Sequence, residues 1–173
     1  MNLLITGKPG VGKTTLIQKI IANTHVAWGG FYTQEIREND NRVGFQIIAL
    51  NGQTGILAHI KYQSKFRVGK YYVNIQDLDS IAVRAVQQAI IERKPILIDE
   101  IGKMELYSEK FKMIVNQALN AVPPVLGTIT MANLSFVNMV KQRQDVTIAE
   151  LTSNNRTFME TLVTDFLAKQ GIF

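Results

Sequence analysis

The sequence predicts an α/β fold: a mostly parallel central sheet flanked by helices, extended on one side by antiparallel hairpins. Three observations lead there. The apolar run Leu3-Leu4-Ile5 passes through a glycine-rich loop straight into a helical pattern at 15–21. Apolar strands then alternate with amphipathic helices through the second half of the chain, the order that builds a parallel sheet covered on both faces. Between the two, residues from about 30 to 75 are β-rich and punctuated by polar turns, as in hairpins.

Each element has its own signal. Gly29-Gly30 introduces a strand at 31–36, and a polar turn at 38–41 leads to a second at 43–50. Asn51-Gly52 turns the chain into a third, at 56–60. Antiparallel hairpins beside a parallel sheet form a common mixed arrangement. Asp77-Leu78-Asp79-Ser80 supplies candidate caps for a helix carrying Ile81, Val86, Ala89 and Ile90. Pro95 precedes the strand Ile96-Leu97-Ile98. Ser108 starts a helix with Phe111, Ile114, Val115, Ala118 and Leu119 on one face, ended by Pro123-Pro124. A strand at 125–129, a short helix at 134–142 and a strand at 146–148 follow. Asn154 or Asn155 caps the last helix, whose predicted apolar stripe is Phe158, Leu162, Val163 and Phe166.

The loop between the first strand and helix carries the chemistry. Gly7-Lys8-Pro9-Gly10-Val11-Gly12-Lys13-Thr14 fills G-x-x-x-x-G-K-[ST] at every constrained position. Glycines let the backbone curl until its N–H groups converge on phosphate oxygens, and the loop ends at a helix N-terminus, where anions are favoured. Lys13 adds a point charge against the β- and γ-phosphates, and the Thr14 hydroxyl is a candidate Mg²⁺ ligand. The expected contact set runs from Gly7 to Thr15. The pattern predicts a P-loop fold that binds a nucleoside triphosphate.

The second half of the site is expected at Ile96-Leu97-Ile98-Asp99-Glu100, an apolar strand ending in two acids. An acid at the tip of a strand near the loop faces Mg²⁺, a role assigned to Asp99. The next carboxylate, Glu100, can reach the water behind the γ-phosphate and polarise it. Phosphoryl transfer to another acceptor does not require that glutamate, so hydrolysis is favoured over two alternatives: a nucleotide or small-molecule kinase, and a nucleic-acid-associated ATPase or switch.

The run Asp99-Glu100-Ile101-Gly102-Lys103-Met104-Glu105-Leu106 resembles the signature of the small nucleoside-triphosphatases of thermophilic bacteria and archaea. Their animal relative is called cancer-related nucleoside-triphosphatase. Gly30-Phe31-Tyr32-Thr33-Gln34-Glu35-Ile36-Arg37, Arg42-Val43-Gly44-Phe45, Val68-Gly69-Lys70-Tyr71 and Asn155-Arg156 match the same family in order along the chain. The resemblance implies a RecA-like fold and Mg²⁺-dependent hydrolysis of ATP, GTP and other triphosphates to diphosphate and phosphate.

Hydrolysis also gains from a cation that meets charge developing on the γ-phosphoryl. Lys13 is one such group, and Arg143 and Arg156, lying between late elements near strand ends, are the other candidates. Arg37, Arg42 and Lys70 belong to the β-rich segment, where they either face the phosphates or charge a sheet edge. No Asn-Lys-x-Asp element for reading guanine is present. Trp28, Tyr32, Tyr71 and Tyr107 offer only stacking, which discriminates weakly between bases. Loose choice among ATP, GTP, CTP and UTP is therefore expected.

Composition bounds the partners. With 173 residues, 46% hydrophobic and 19% charged, the chain suits one domain, residues 1–173. Apolar stretches fall far short of the ~20 residues of a membrane span, and no leader pattern precedes the first strand, so a cytoplasmic protein without membrane partners is expected. The absence of cysteine excludes disulfides, thiolate metal ligands and a cysteine nucleophile. His25 and His59 are too few and too scattered for zinc. The net charge of +5 is spread without a run of five Lys or Arg, so it reads as a mild field steering polyphosphates. No specific nucleic acid is expected, and a monomer is.

Overall fold

A computed structural model describes residues 1–173. Nine strands form one sheet: β1 (Asn2–Thr6), β2 (Gly29–Glu38), β3 (Asn41–Ala49), β4 (Thr54–His59), β5 (Arg67–Val68), β6 (Tyr71–Val73), β7 (Ile96–Ile101), β8 (Val125–Ile129) and β9 (Val146–Glu150). Their spatial order is β5-β6-β4-β3-β2-β7-β8-β1-β9. From β2 to β9 every neighbour is parallel. From β2 to β5 every neighbour is antiparallel, which is the predicted hairpin extension. The pair β5–β6 was not among the predicted strands, because two- and three-residue strands leave no period to read.

The helices are α1 (Lys13–Ile21), α2 (Ile75–Asp77), α3 (Arg84–Ile91), α4 (Glu109–Asn120), α5 (Ser135–Lys141) and α6 (Arg156–Lys169). None is long and apolar enough to cross a membrane. Alternation along β1 divides the core in two. Leu3 and Ile5 pack with Leu16, Ile17 and Ile20 of α1 and Met159, Val163 and Leu167 of α6. Leu4 faces the larger cluster on the opposite side, with Phe31, Ile98, Phe111, Val115 and Val137. Phe31 and Phe111 meet edge to face at 6.1 Å. The approach of β2 to β7 requires Gly30, whose φ is 96° and where a Cβ would overlap the Leu97 carbonyl.

Two helix expectations are corrected. The helical stretch after β6 begins earlier than Asp77–Ser80: Asn74 caps it, accepting from the Asp77 amide at 3.0 Å, and a π-helical turn at Leu78–Val83 joins α2 to α3. Asp77 and Asp79 instead tie elements together. Asp77 accepts from the Ile56 amide at 2.8 Å, and Asp79 accepts from the Ser108 hydroxyl. On α6 the buried stripe is Met159, Val163 and Leu167, whereas Phe158 is 65% exposed. Of the predicted stripe, Val163 is buried and Leu162 and Phe166 pack partly buried against the same cluster, so only Phe158 turns outward. Ser108 does cap α4, accepting from the Phe111 amide at 3.0 Å.

Candidate active site

The loop 7–14 follows β1 at the carboxyl end of the parallel strands, where this class of sheet binds its ligands. Gly7, Gly10 and Gly12 have φ of 146°, 77° and 98°, values that L side chains rarely adopt. A Cβ on Gly7 would lie 2.5 Å from the Leu151 carbonyl oxygen, so the loop is pressed against the end of β9 as well as curled. Lys8, Pro9, Gly10 and Thr15 are exposed, while Val11, Gly12, Lys13 and Thr14 are half-buried. The Lys13 ammonium folds back over the loop, donating to the carbonyls of Gly7 at 3.0 Å and Lys8 at 3.2 Å.

Strand order completes the site. One strand, β8, lies between β1 and β7. Asp99, near the end of β7, is 2% exposed and held from both sides. The Thr14 hydroxyl donates to its Oδ2 at 2.8 Å, and the Thr128 hydroxyl of β8 donates to its Oδ1 at 2.6 Å. The β7–β8 register shifts between Ile98 and Ile101, around the cis Asp99–Glu100 peptide. Burial raises the Asp99 pKa, and the hydrogen bonds from Thr128, Thr14 and the Thr33 backbone oppose the rise. Glu100 is also pushed up by burial, against the pull of the Lys13 ammonium and with a further push from Asp99.

A third carboxyl joins them. Glu105, in a 3₁₀ turn at Glu105–Tyr107, is 4% exposed. Gly102 has no side chain, and the atoms crowding the position of its missing Cβ are Glu105 Oε2 at 2.9 Å and Glu100 Oε2 at 3.2 Å. Burial, then the Glu100 charge, hold Glu105 well above the ordinary value of 4.5. Glu105 lay inside the signature run but received no role from the sequence, since its burial against Glu100 arises only from the turn.

A pH effect follows. Folded Glu105 keeps a proton that the unfolded chain releases near 4.5, so the unfolded state binds fewer protons and stability falls as pH rises above that value. Glu105→Gln is expected to remove this loss. Its Tm advantage over the parent should widen from pH 4.5 to neutrality, and parallel Tm profiles would refute the buried, protonated carboxyl.

The two arginines separate. Arg156, the first residue of α6, reaches the loop: a Cβ on Gly12 would meet its Nη1 at 2.8 Å. Arg143 does not, and its candidacy is corrected. It forms a two-pronged pair with Asp145 at 2.8 and 2.7 Å and donates to Asn120 Oδ1 at 2.7 Å. The Asp145 carbonyl accepts from the amide of Asn2, at the start of β1. Arg143 therefore lies at the amino ends of the strands, about 16 Å from the loop by the rise of a five-residue strand. Three of the four candidate stacking residues are engaged by partners outside the loop. Trp28 precedes β2 at the amino end and bonds Thr24 at 2.9 Å, Tyr71 is buried against Arg42, and Tyr107 donates to the Arg67 carbonyl at 3.2 Å.

A strand, a cradle of backbone amides with its lysine, and a neighbouring strand tipped by two acids define the class: a P-loop α/β protein of RecA-like architecture. Comparison with known proteins narrows it. The family model described as NTPase matches residues 2–164. The nucleoside-triphosphatase THEP1 of Thermotoga maritima is 50% identical over 156 residues, covering 90% of this chain and 89% of that protein. The cancer-related nucleoside-triphosphatase homolog of Mus musculus is 36% identical over 96% of this chain and 95% of its own. The crystal structure of THEP1 from Aquifex aeolicus superposes with a TM-score of 0.88 at 37% identity, covering 96% of this chain and 99% of that one. The chain belongs to this nucleoside-triphosphatase family.

Proposed function

We propose that the chain hydrolyses ATP, GTP, CTP and UTP to diphosphate and phosphate with Mg²⁺ and with little regard for the base. The observation that supports this reading most is the convergence of Thr14, Asp99 and Glu100 around Lys13 at the tip of β1. Amides of residues 7–14 cradle the β- and γ-phosphates, and Lys13 exchanges the Gly7 and Lys8 carbonyls for phosphate oxygens. Glu100 accepts a proton from the attacking water as its oxygen bonds to the γ-phosphorus. The bridging oxygen leaves with the nucleoside diphosphate. Arg156, beside Gly12, meets charge on the γ-phosphoryl.

The residues suit Mg²⁺. Thr14 Oγ1 and Asp99 Oδ2 are two hard oxygen donors 2.8 Å apart, and no group of three or more His, Asp or Glu side chains forms a protein-only cage. Such a pair fits a cation that takes its remaining ligands from phosphate and water. Bound there, Mg²⁺ would neutralise charge on the β- and γ-oxygens. No step of this reading calls on a second copy or a membrane, and a cytoplasmic monomer is part of the proposal.

Phosphate release from the four nucleotides, with no added acceptor, tests the reading. Their kcat/KM values are expected to agree within 100-fold, about 2.7 kcal/mol, and to fall to background in EDTA. A larger preference would defeat the loose base choice, and unchanged release in EDTA would defeat the metal requirement.

A further inference from the structure

The chain's excess charge is concentrated in one part of the fold. Residues 41–76 contain Arg42, Lys61, Lys65, Arg67 and Lys70 and not one Asp or Glu. They account for the entire net charge of +5, since the remainder of the chain carries acids and bases in equal number. In the sequence these cations are spaced out and form no basic run. In the fold all five are exposed on the antiparallel extension, and Lys65, Arg67 and Lys70 lie in the β5–β6 edge hairpin and the loop that leads into it.

Rings are interleaved with the cations. Lys65 Nζ lies 5.2 Å from the Phe66 centroid, Arg67 Cζ 5.6 Å from that of Tyr72, and Lys70 Nζ 5.5 Å from that of Tyr71. Arg42 is engaged by Glu35 and Lys61 by Glu38, but Lys65, Arg67 and Lys70 take part in none of the ion pairs. Phe66 and Tyr72 are partly exposed and Tyr71 is buried, so two of the three unpaired cations, Lys65 and Arg67, stand beside an accessible ring.

Topology brings this surface to the nucleotide end of the molecule. Two reversals make β4 run in the direction of β2. The end of β4 at His59, the 60–66 loop and the β5–β6 turn therefore all sit at the carboxyl end of the parallel strands, as loop 7–14 does. Tyr107 joins the two regions. Its ring lies 5.1 Å from that of Phe66 and its hydroxyl donates to the Arg67 carbonyl, two residues after Glu105.

We propose that the β5–β6 edge of the extension, with the loop that precedes it, binds single-stranded nucleic acid, a site separate from the nucleotide cradle and independent of the hydrolysis reading. Unpaired cations next to the accessible rings of Phe66 and Tyr72 match the phosphates and unstacked bases of a single strand. A duplex hides its base faces. An anionic membrane is disfavoured because none of the exposed large hydrophobic residues lies between 30 and 75, leaving nothing to insert.

The test is fluorescence anisotropy of a labelled 20-nucleotide oligouridylate with the full-length protein, free of nucleoside triphosphate, from 50 to 300 mM KCl. Saturable binding is expected, with a log–log salt slope of about −2 to −3, as for three or four phosphates on a single strand. The variant K61E/K65E/R67E should bind at least 10-fold more weakly, with ATP hydrolysis within twofold of the parent showing that it is folded. Y72A should lose several-fold, and inorganic polyphosphate of equal charge should compete at least 10-fold less well than unlabelled strand. No binding at 50 mM salt, an unaffected triple variant, equal competition by polyphosphate, or equal affinity for phosphatidylserine vesicles would each overturn the proposal.

Discussion

Glu100→Gln is expected to lower kcat by 10²-fold or more while leaving nucleotide affinity within a few-fold of the parent, the pattern of a lost general base. Gln keeps the size and a hydrogen-bonding oxygen but cannot take the water's proton. The carboxyl suits that task because burial raises its proton affinity while Lys13 keeps it from rising without limit. The replacement also removes the Glu100 charge that lies beside Asp99 and helps to keep Glu105 protonated. Binding should therefore survive and the fold should not suffer. Single-turnover phosphate release beside equilibrium binding of a non-hydrolysable analogue separates the two quantities. Unchanged turnover would remove Glu100 from the mechanism, and equal loss of binding and turnover would make it a binding group.

Lys13→Ala is expected to act on both quantities, reducing kcat/KM by about 10³-fold. Its ammonium is the cation built into the loop itself, already resting on two carbonyls of the cradle. Without it the Gly7 and Lys8 carbonyls point at an incoming polyphosphate with nothing to screen them. Asp99 and Glu100 also lose the positive charge that faces them. Steady-state kinetics for ATP and GTP measure the effect. A loss below 10-fold would mean that the amides and Arg156 hold the phosphates unaided.

The features that were readable in the chain are local ones. A cradle made from backbone amides needs consecutive residues with particular φ angles, so residues 7–14 carry it in writing. A strand that ends in two acids is equally contiguous at Ile96–Ile101. Strand–helix alternation and the Asn-Gly turn likewise act within a few residues, and they were enough for the mixed sheet.

What the sequence could not rank was everything set by which end, which face or which neighbour. Arg143 and Arg156 looked alike as arginines near late strands, yet the run of β9 between them carries one to the amino end, paired with Asp145, and the other to the loop. Insertion of β8 between β1 and β7 brings Thr128 to Asp99 across 29 positions. A 3₁₀ turn folds Glu105 back beside Glu100, and hairpin pairing leaves five scattered cations exposed on the antiparallel extension.

The sequence by itself thus determined the chemistry of the nucleotide site, because phosphate binding and a strand-tip acid pair are properties of short continuous segments. Only the tertiary structure decided which distant groups complete it, because strand order and helix rotation are settled by burying apolar faces against one another. That free energy is summed over the whole core and is written at no single position.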